Sequence, residues 1–349
     1  MTDVMRVGVL GAGGLGKAAA RIIGMKRELK LVAICDSRGF AFDEDGLDCQ
    51  AIANLEGDLV EGYRQAAASA AAQNAGSGGV MTATRAVVRH ASDPINEIIG
   101  RSPSLDGILV ALPNLPNEFI PGIAKRFFEK TRGLLFVDAL KRTRAAELMF
   151  QLDVQAKRAG AVYLVGCGAT PGLLSAAAVL AAQSFTEVES VDIHWGVGIA
   201  NWEAYKATIR EDIAHLPGYT VERARAMSDA EVEALLDQTD GKLELRNMEH
   251  ADDVLLQRVG VVERQEQVTV GGVMDTRHAR KPVSTTMTLT GKTFDGRRSS
   301  HKFILGDETT MAANVIGPAL GYLKRAAWLK AHGIYGVFGS TEFMPLVVR

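Results

Sequence analysis

The sequence is short of cysteine, of aromatic residues and of surplus charge, and each shortage narrows what it can be. Cys35, Cys49 and Cys167 are the three cysteines among 349 residues and follow no regular spacing. They build neither a disulfide framework nor a zinc knuckle, so a reduced, cytoplasmic compartment is expected. The seven histidines show no metal-ligand spacing, and no metal is expected. A net charge of -2 leaves no broad basic surface for nucleic acid. No apolar run approaches the roughly 18 residues that cross a bilayer, so no membrane partner is expected. A strand begins within a few residues of the N-terminus, and a signal or transit segment is not expected. What the chain does have is apolar bulk, 47% of its residues, ample for a sizeable core. At about 150 residues per domain, two domains are expected.

The most informative stretch is Val7-Gly-Val-Leu-Gly-Ala-Gly-Gly-Leu-Gly16. Val7 to Leu10 read as a buried strand, and Lys17-Ala-Ala-Ala-Arg-Ile-Ile as the body of a helix. Between them, Gly11, Gly13 and Gly16 make G-x-G-x-x-G. The first glycine permits the tight turn, the second lets a pyrophosphate approach the backbone, and the third lets helix and strand pack closely. The helix N-terminus then offers free N–H groups to the phosphates. A second apolar run, Leu31 to Cys35, ends in Asp36, 20 positions after Gly16. An acid there would take the ribose hydroxyls. Arg38 could instead meet a ribose phosphate, so NAD and NADP both stay open.

Later strand ends point the same way. Leu105 to Leu112 reads as a buried strand running into Pro113 and Asn114, where an open α/β sheet binds ligands. Leu134 to Val137 is the next, ending Asp138-Ala-Leu-Lys-Arg-Thr-Arg144 ahead of a helix expected over 145–157. Lys141, Arg142 and Arg144 crowd that helix N-terminus, where each exposed cation costs roughly 0.3–1 kcal/mol. A bound anion, Asp138 or a lysine held neutral should compensate. Ala161 to Val165 is a further strand, running into Gly166-Cys-Gly-Ala-Thr-Pro-Gly172. Thr170 and Pro171 look like the cap and first position of the helix Leu173–Ala182. Cys167 reads as a small buried cysteine. Candidate coenzyme contacts are Gly11, Gly13, Gly14, Leu15 and Gly16, then Asp36, Ser37 and Arg38, and Leu112, Pro113, Asn114, Ala139 and Gly168 at the strand ends.

From Val188 the pattern changes to longer β runs. Asp192 and His194 alternate with Val191, Ile193 and Trp195, which puts the polar pair on one face, able to relay protons if that face lines a cleft. Trp202, Tyr205, Ile209 and Ile213 form one helical stripe. Arg210 and His215 could recognise a carboxylate. Ser228 to Asp240 reads as an acidic amphipathic helix, and residues 243–305 hold strands expected to form an antiparallel sheet. Residues 308–330 read as a long helix returning to the first domain, with Asn314 a candidate nicotinamide neighbour. Residues 66–79 are low in complexity and read as a frayed helix end and surface loop. The fold class is α/β: a Rossmann-type doubly wound parallel sheet over residues 1–170 and a second α+β domain, residues 171–307, on a mainly antiparallel sheet.

Taken together, Gly8–Gly16, Ala111–Asn117, Asp138-Ala-Leu-Lys-Arg-Thr143, the 163–172 segment and the His194 region resemble the single-turnover (S)-8-amino-7-oxononanoate synthases of biotin synthesis. That family is often called BioU and is distantly related to saccharopine dehydrogenase-type reductases. The resemblance covers most of the chain, and Asp-Ala-Leu-Lys-Arg-Thr, which holds the family's sacrificial lysine, is its most specific part. It implies that Lys141 gives its ε-nitrogen to 8-amino-7-oxononanoate, with NAD(P)H, NAD(P)+ and carbon dioxide or bicarbonate taking part, and ends as an aldehyde. Lys141 must then be neutral, through burial or a cation such as Arg142. Asp192, His194 or Tyr205 would move protons. Arg142, Thr170, Arg210 and His215 are candidate substrate contacts. The other readings are a multi-turnover amino-acid or imine dehydrogenase, a semialdehyde dehydrogenase using Cys167, and a non-catalytic nicotinamide sensor. A homo-oligomer is expected from the second sheet.

Overall fold

The computed structural model describes residues 4–76, 86–114, 116–199, 202–306 and 311–349. Two sheets organise it. The first is built from β1 (Met5–Leu10), β2 (Leu29–Cys35), β3 (Gly39–Phe42), β4 (Val87–His90), β5 (Gly107–Val110), β6 (Leu135–Asp138) and β7 (Val162–Val165). The second holds β8 (Phe185–Gly198), β9 (Lys242–Leu245), β10 (Val268–Asp275), β11 (Thr285–Thr293) and β12 (Arg298–Leu305), and β13 (Gly336–Gly339) returns to the first.

The first sheet has the order β13-β7-β6-β5-β1-β2-β3-β4. All its pairings from β13 to β2 are parallel. β5, β6 and β7 are buried at every position, as strands covered on both faces must be. From β1 the chain steps to β2 on one side and returns to β5 on the other. The crevice at the carboxyl ends of β1 and β5 is therefore a topological switch point, the place where such sheets bind ligands.

The helix Met311–Ala331 closes one face of this sheet. Ile316, Leu320, Leu323 and Leu329 share one apolar cluster with Val7, Val9, Leu109 and Val137. Residues 308–310 of the expected helix lie outside the described residues. The helix Leu59–Gly76 covers most of the low-complexity segment, whose last three positions, 77–79, also lie outside them. No helix among the described residues is long and apolar enough to cross a membrane.

After Asp36 the chain enters β3, antiparallel to β2, with Phe40 and Ala41 fully buried. Two local readings are corrected. The helix expected over 145–157 is two, Thr143–Phe150 and Asp153–Arg158. The second is tied to β13, whose Val337 N–H donates to Asp153 Oδ1 at 3.0 Å. Thr170 does not cap the helix Leu173–Ala182. Gly172 does, at φ +127°, with its N–H on Ser175 Oγ at 3.0 Å.

The second sheet has the order β12-β11-β8-β10-β9. It is mainly antiparallel, as expected, with β8 and β10 running parallel. Its buried face carries Val191, Ile193 and Trp195 against Ile209, Ile213 and Leu243. The acidic helix Asp229–Gln238 starts with a capping box, Ser228 with Glu231.

Candidate active site

The glycine loop has the form its spacing implies. Gly11 sits at φ +107°, and a Cβ there would meet the Ala111 carbonyl oxygen at 2.2 Å. A Cβ on Gly16 would fall 1.8 Å from the Gly11 carbonyl oxygen. Gly13 has nothing within 4 Å of a built Cβ, so its backbone is open to a ligand. Gly11 to Leu15 form one wall of a groove of about 1240 Å³ that continues past Asp36 and Ser37, with Leu112, Pro113 and Asn114 along its side. A groove of this shape over a helix N-terminus fits an extended dinucleotide. The Asp36 carboxylate does not face it freely. It accepts hydrogen bonds from Arg38 N at 2.7 Å, Gly39 N at 2.8 Å and Leu59 N at 3.1 Å.

A second cavity, of about 1030 Å³, adjoins the groove. Leu15, Asn114, Tyr205, Thr208 and Glu211 line both. Ala139, Lys141, Gly168, Thr170 and Asn314 line the second. Tyr205 stands between them, its ring 2.7 Å from where a Gly14 Cβ would be. Burial raises its phenol pKa, so the hydroxyl keeps its proton. Trp195, Met248, Met274 and Leu305 make the far wall apolar.

Lys141 lies where β6 ends. Its N–H donates to Asn114 Oδ1 at 3.0 Å, and Asn114 N–H donates to Glu211 Oε1 at 3.0 Å. The Lys141 Nζ lies 3.0 Å from Asp212 Oδ1 and 3.5 Å from Glu211 Oε2. Both carboxylates are almost fully buried. Burial alone would lower the lysine pKa, but Asp212 and Glu211 outweigh it and the net shift is upward. This corrects the expectation of a depressed pKa. Arg142 is no help in that direction either. Its Nε donates to Asn117 Oδ1 at 3.0 Å and its guanidinium pairs with Glu249, outside the cavity lining. Glu249 also receives Arg144 N at 3.3 Å, and Asp253 receives the Thr143 hydroxyl at 2.9 Å. The crowded cations at this helix start are thus compensated from three places: Lys141 by Glu211 and Asp212, Arg142 by Glu249, and Arg144 by Glu147 at 3.0 Å on its own helix.

Thr170 reaches the cavity as part of a network that spacing did not reveal. His250 is buried and lines the cavity. Its Nδ1 lies 2.7 Å from Asp252 Oδ2, which also accepts from the Thr170 hydroxyl at 2.6 Å. Ser175 bonds the other carboxylate oxygen. A buried carboxylate on Nδ1 orients the ring and leaves Nε2 for proton exchange. The signal was a single His-Ala-Asp in a loop, invisible without the fold.

Three sequence candidates fall elsewhere. Asp192 is exposed and bonds the Thr269 hydroxyl at 2.8 Å. Trp195, Gly196 and Val197 supply β8's part of the cavity lining instead of Asp192 and His194. The period-two reading put the pair on one face and left open whether that face meets the cleft; neither side chain is part of the cavity lining. Arg210 is committed to Asp229 at 2.7 Å and to the Met227 carbonyl. His215 lies near Asp212 and Arg142 but is not part of the lining. Burial lowers its pKa. Cys167 is fully buried, and its thiol pKa is pushed far up by burial, which removes the thiolate a semialdehyde dehydrogenase needs.

A parallel sheet with an open glycine loop at its switch point, and a second sheet closing a cavity over it, define a two-sheet α/β protein of the Rossmann type. No family model matches the sequence. Solved structures agree on the fold. The DAP dehydrogenase of C. glutamicum, in complex with DAP, is 17% identical with a TM-score of 0.56, covering 98% of this chain and 94% of that one. An amine dehydrogenase from Mycobacterium smegmatis is 13% identical with a TM-score of 0.51, over 99% and 97%. Sequence similarity is more specific. The (S)-8-amino-7-oxononanoate synthase BioU of Haloferax mediterranei is 46% identical over 352 residues, covering 98% of this chain and 99% of that protein. The chain belongs to the BioU family.

Proposed function

We propose that this protein is an (S)-8-amino-7-oxononanoate synthase of biotin biosynthesis, in which Lys141 donates its ε-nitrogen and is consumed. The carrying observation is the position of that amine, held by two buried carboxylates in a cavity that adjoins the coenzyme groove. Family membership supplies the substrate.

The resting amine is an ammonium, so its proton must leave before it can attack a carbonyl. Asp212, at 3.0 Å, is placed to take it, with Glu211 sharing the charge. The free amine adds to the 7-oxo carbon, and loss of water leaves an imine between Lys141 and the substrate. His250, backed by Asp252, and the protonated Tyr205 hydroxyl are the groups that move protons to and from the departing oxygen. A nicotinamide coenzyme held along Gly11 to Leu15 and Asn114 would supply the hydride chemistry, reduction at the imine and then oxidation at the lysine side-chain carbon. Between these steps the substrate's 8-amino group takes up carbon dioxide as a carbamate, releasing a proton for which His250 is an acceptor. Water then splits the second imine. The lysine nitrogen leaves on the product, and Lys141 remains as an aldehyde. The apolar wall of Trp195, Met248, Met274 and Leu305 suits the substrate's methylene chain. We place this chemistry in the reduced cytoplasm, in a homo-oligomer.

Incubation with 8-amino-7-oxononanoate, reduced coenzyme and bicarbonate, followed by mass analysis of the Lys141 peptide, tests the reading. The expected result is a covalent adduct that resolves to a peptide with one amine replaced by a carbonyl oxygen. Repeated turnover with an unmodified peptide would overturn it.

A further inference from the structure

The end of β2 decides which adenosine ribose the groove accepts. A carboxylate that selects the unphosphorylated ribose must turn its oxygens to the two hydroxyls. The Asp36 carboxylate is turned to its own chain. Oδ1 accepts Arg38 N and Gly39 N, and Oδ2 accepts Leu59 N at the start of the helix Leu59–Gly76. Three N–H donors and that helix's positive end offset its charge, which also softens its repulsion of a nearby anion. Next to it, Ser37 lines the groove and is exposed. Arg38 follows, its side chain 70% exposed. Its nearest acid, Asp58 Oδ2, is 3.7 Å away, beyond hydrogen-bond range. Asp58 has its own task, accepting Val60 N and Glu61 N at 3.0 Å each. An exposed pair this loose gives way readily to a dianionic phosphate, which a guanidinium binds with two charge-assisted hydrogen bonds.

We propose that the protein selects NADP(H) over NAD(H), with Arg38 and Ser37 holding the 2′-phosphate of the adenosine ribose. The inference rests on the coenzyme groove described above, and it deepens that reading by naming the coenzyme and the side chains that choose it. It leaves Lys141 and its chemistry untouched.

The test is direct binding to the intact protein by titration calorimetry, with NADPH and NADH, and with 2′,5′-ADP and 5′-AMP as probes that lack the nicotinamide. The expected result is a preference of about tenfold or more for NADPH and for 2′,5′-ADP. Arg38→Ala should erase most of that preference by weakening NADPH and 2′,5′-ADP far more than NADH and 5′-AMP, and the NADH binding that remains reports an intact fold. Arg38→Lys should restore part of it. Equal affinities in the native protein, or an Arg38→Ala loss shared equally by both coenzymes, would overturn the inference and leave the groove standing. Failure to bind any of the four would overturn the groove as well.

Discussion

At the scale of single residues, the proposed chemistry turns on a lysine held in its charged form. Asp212 and Glu211 raise the Lys141 pKa, so near neutral pH the amine is almost entirely protonated. The neutral fraction grows tenfold per pH unit below the pKa. Adduct formation should therefore climb with pH through the neutral and alkaline range. Asp212→Asn removes the nearest carboxylate while burial remains, so the lysine pKa falls and the profile should move to lower pH. Rapid-quench rates of adduct formation across pH would show this, and an unmoved profile would contradict it. His250→Asn should slow the reaction by about 10²–10⁴-fold, the range for a positioned proton carrier, with coenzyme affinity unchanged. Asp138, three residues before Lys141, makes a different prediction. It is fully buried with a pKa pushed up by burial to about 6, and it accepts Gly166 N at 2.7 Å. Tyr163 neighbours it, yet Asp138 Oδ2 and the Tyr163 hydroxyl have no well-formed hydrogen bond. Because the folded pKa is raised, the folded state holds its proton where the unfolded state has lost it, and stability falls as pH rises from about 4 to 6. Asp138→Asn keeps an acceptor oxygen and removes the charge, so it should abolish that fall and raise Tm at pH 7. Thermal melts at pH 4 and pH 7 would check it.

At the scale of elements, two positions carry close packing that no substitute fits. A Cβ on Gly16 would sit 1.8 Å from backbone, so Gly16→Ala must open the turn and should abolish coenzyme binding in the same calorimetric titration. Leu323 on the helix Met311–Ala331 is fully buried beside Gly107 of β5, and Leu323→Ala should cost about 2–5 kcal/mol in a denaturant titration. The sequence carried the parallel strands plainly, because strands buried on both faces are continuous apolar runs. It carried β3 poorly, since a four-residue strand between turns is set by tertiary burial of Phe40. It could not show that β8 and β10 run parallel, because period two is the same for either direction. Lys141 was legible as a strand-end lysine. Its partners Glu211 and Asp212, and His250 in the same cavity, were not, being 70 to 109 positions further along the chain and brought there only by the fold. The polar pair on β8 misled for a related reason: alternation assigns a shared face but not which face meets the cavity.

At the scale of the whole molecule, the parallel sheet offers an open glycine turn at its switch point, and the five-stranded sheet brings an apolar wall over the same crevice. Lys141 sits where the two meet, fixed through Asn114 to the strand end beside the glycine loop and through Asp212 to the second lobe. That arrangement places one amine beside the coenzyme groove, and a chain that gives the amine away can act once. Isotope transfer tests this most directly. Protein grown with its lysine ε-nitrogens labelled with 15N, supplied with unlabelled 8-amino-7-oxononanoate, coenzyme and bicarbonate, should yield a diamine carrying the label in one nitrogen, at no more than one product per chain. Unlabelled product, or product formed in excess of the protein, would contradict the account.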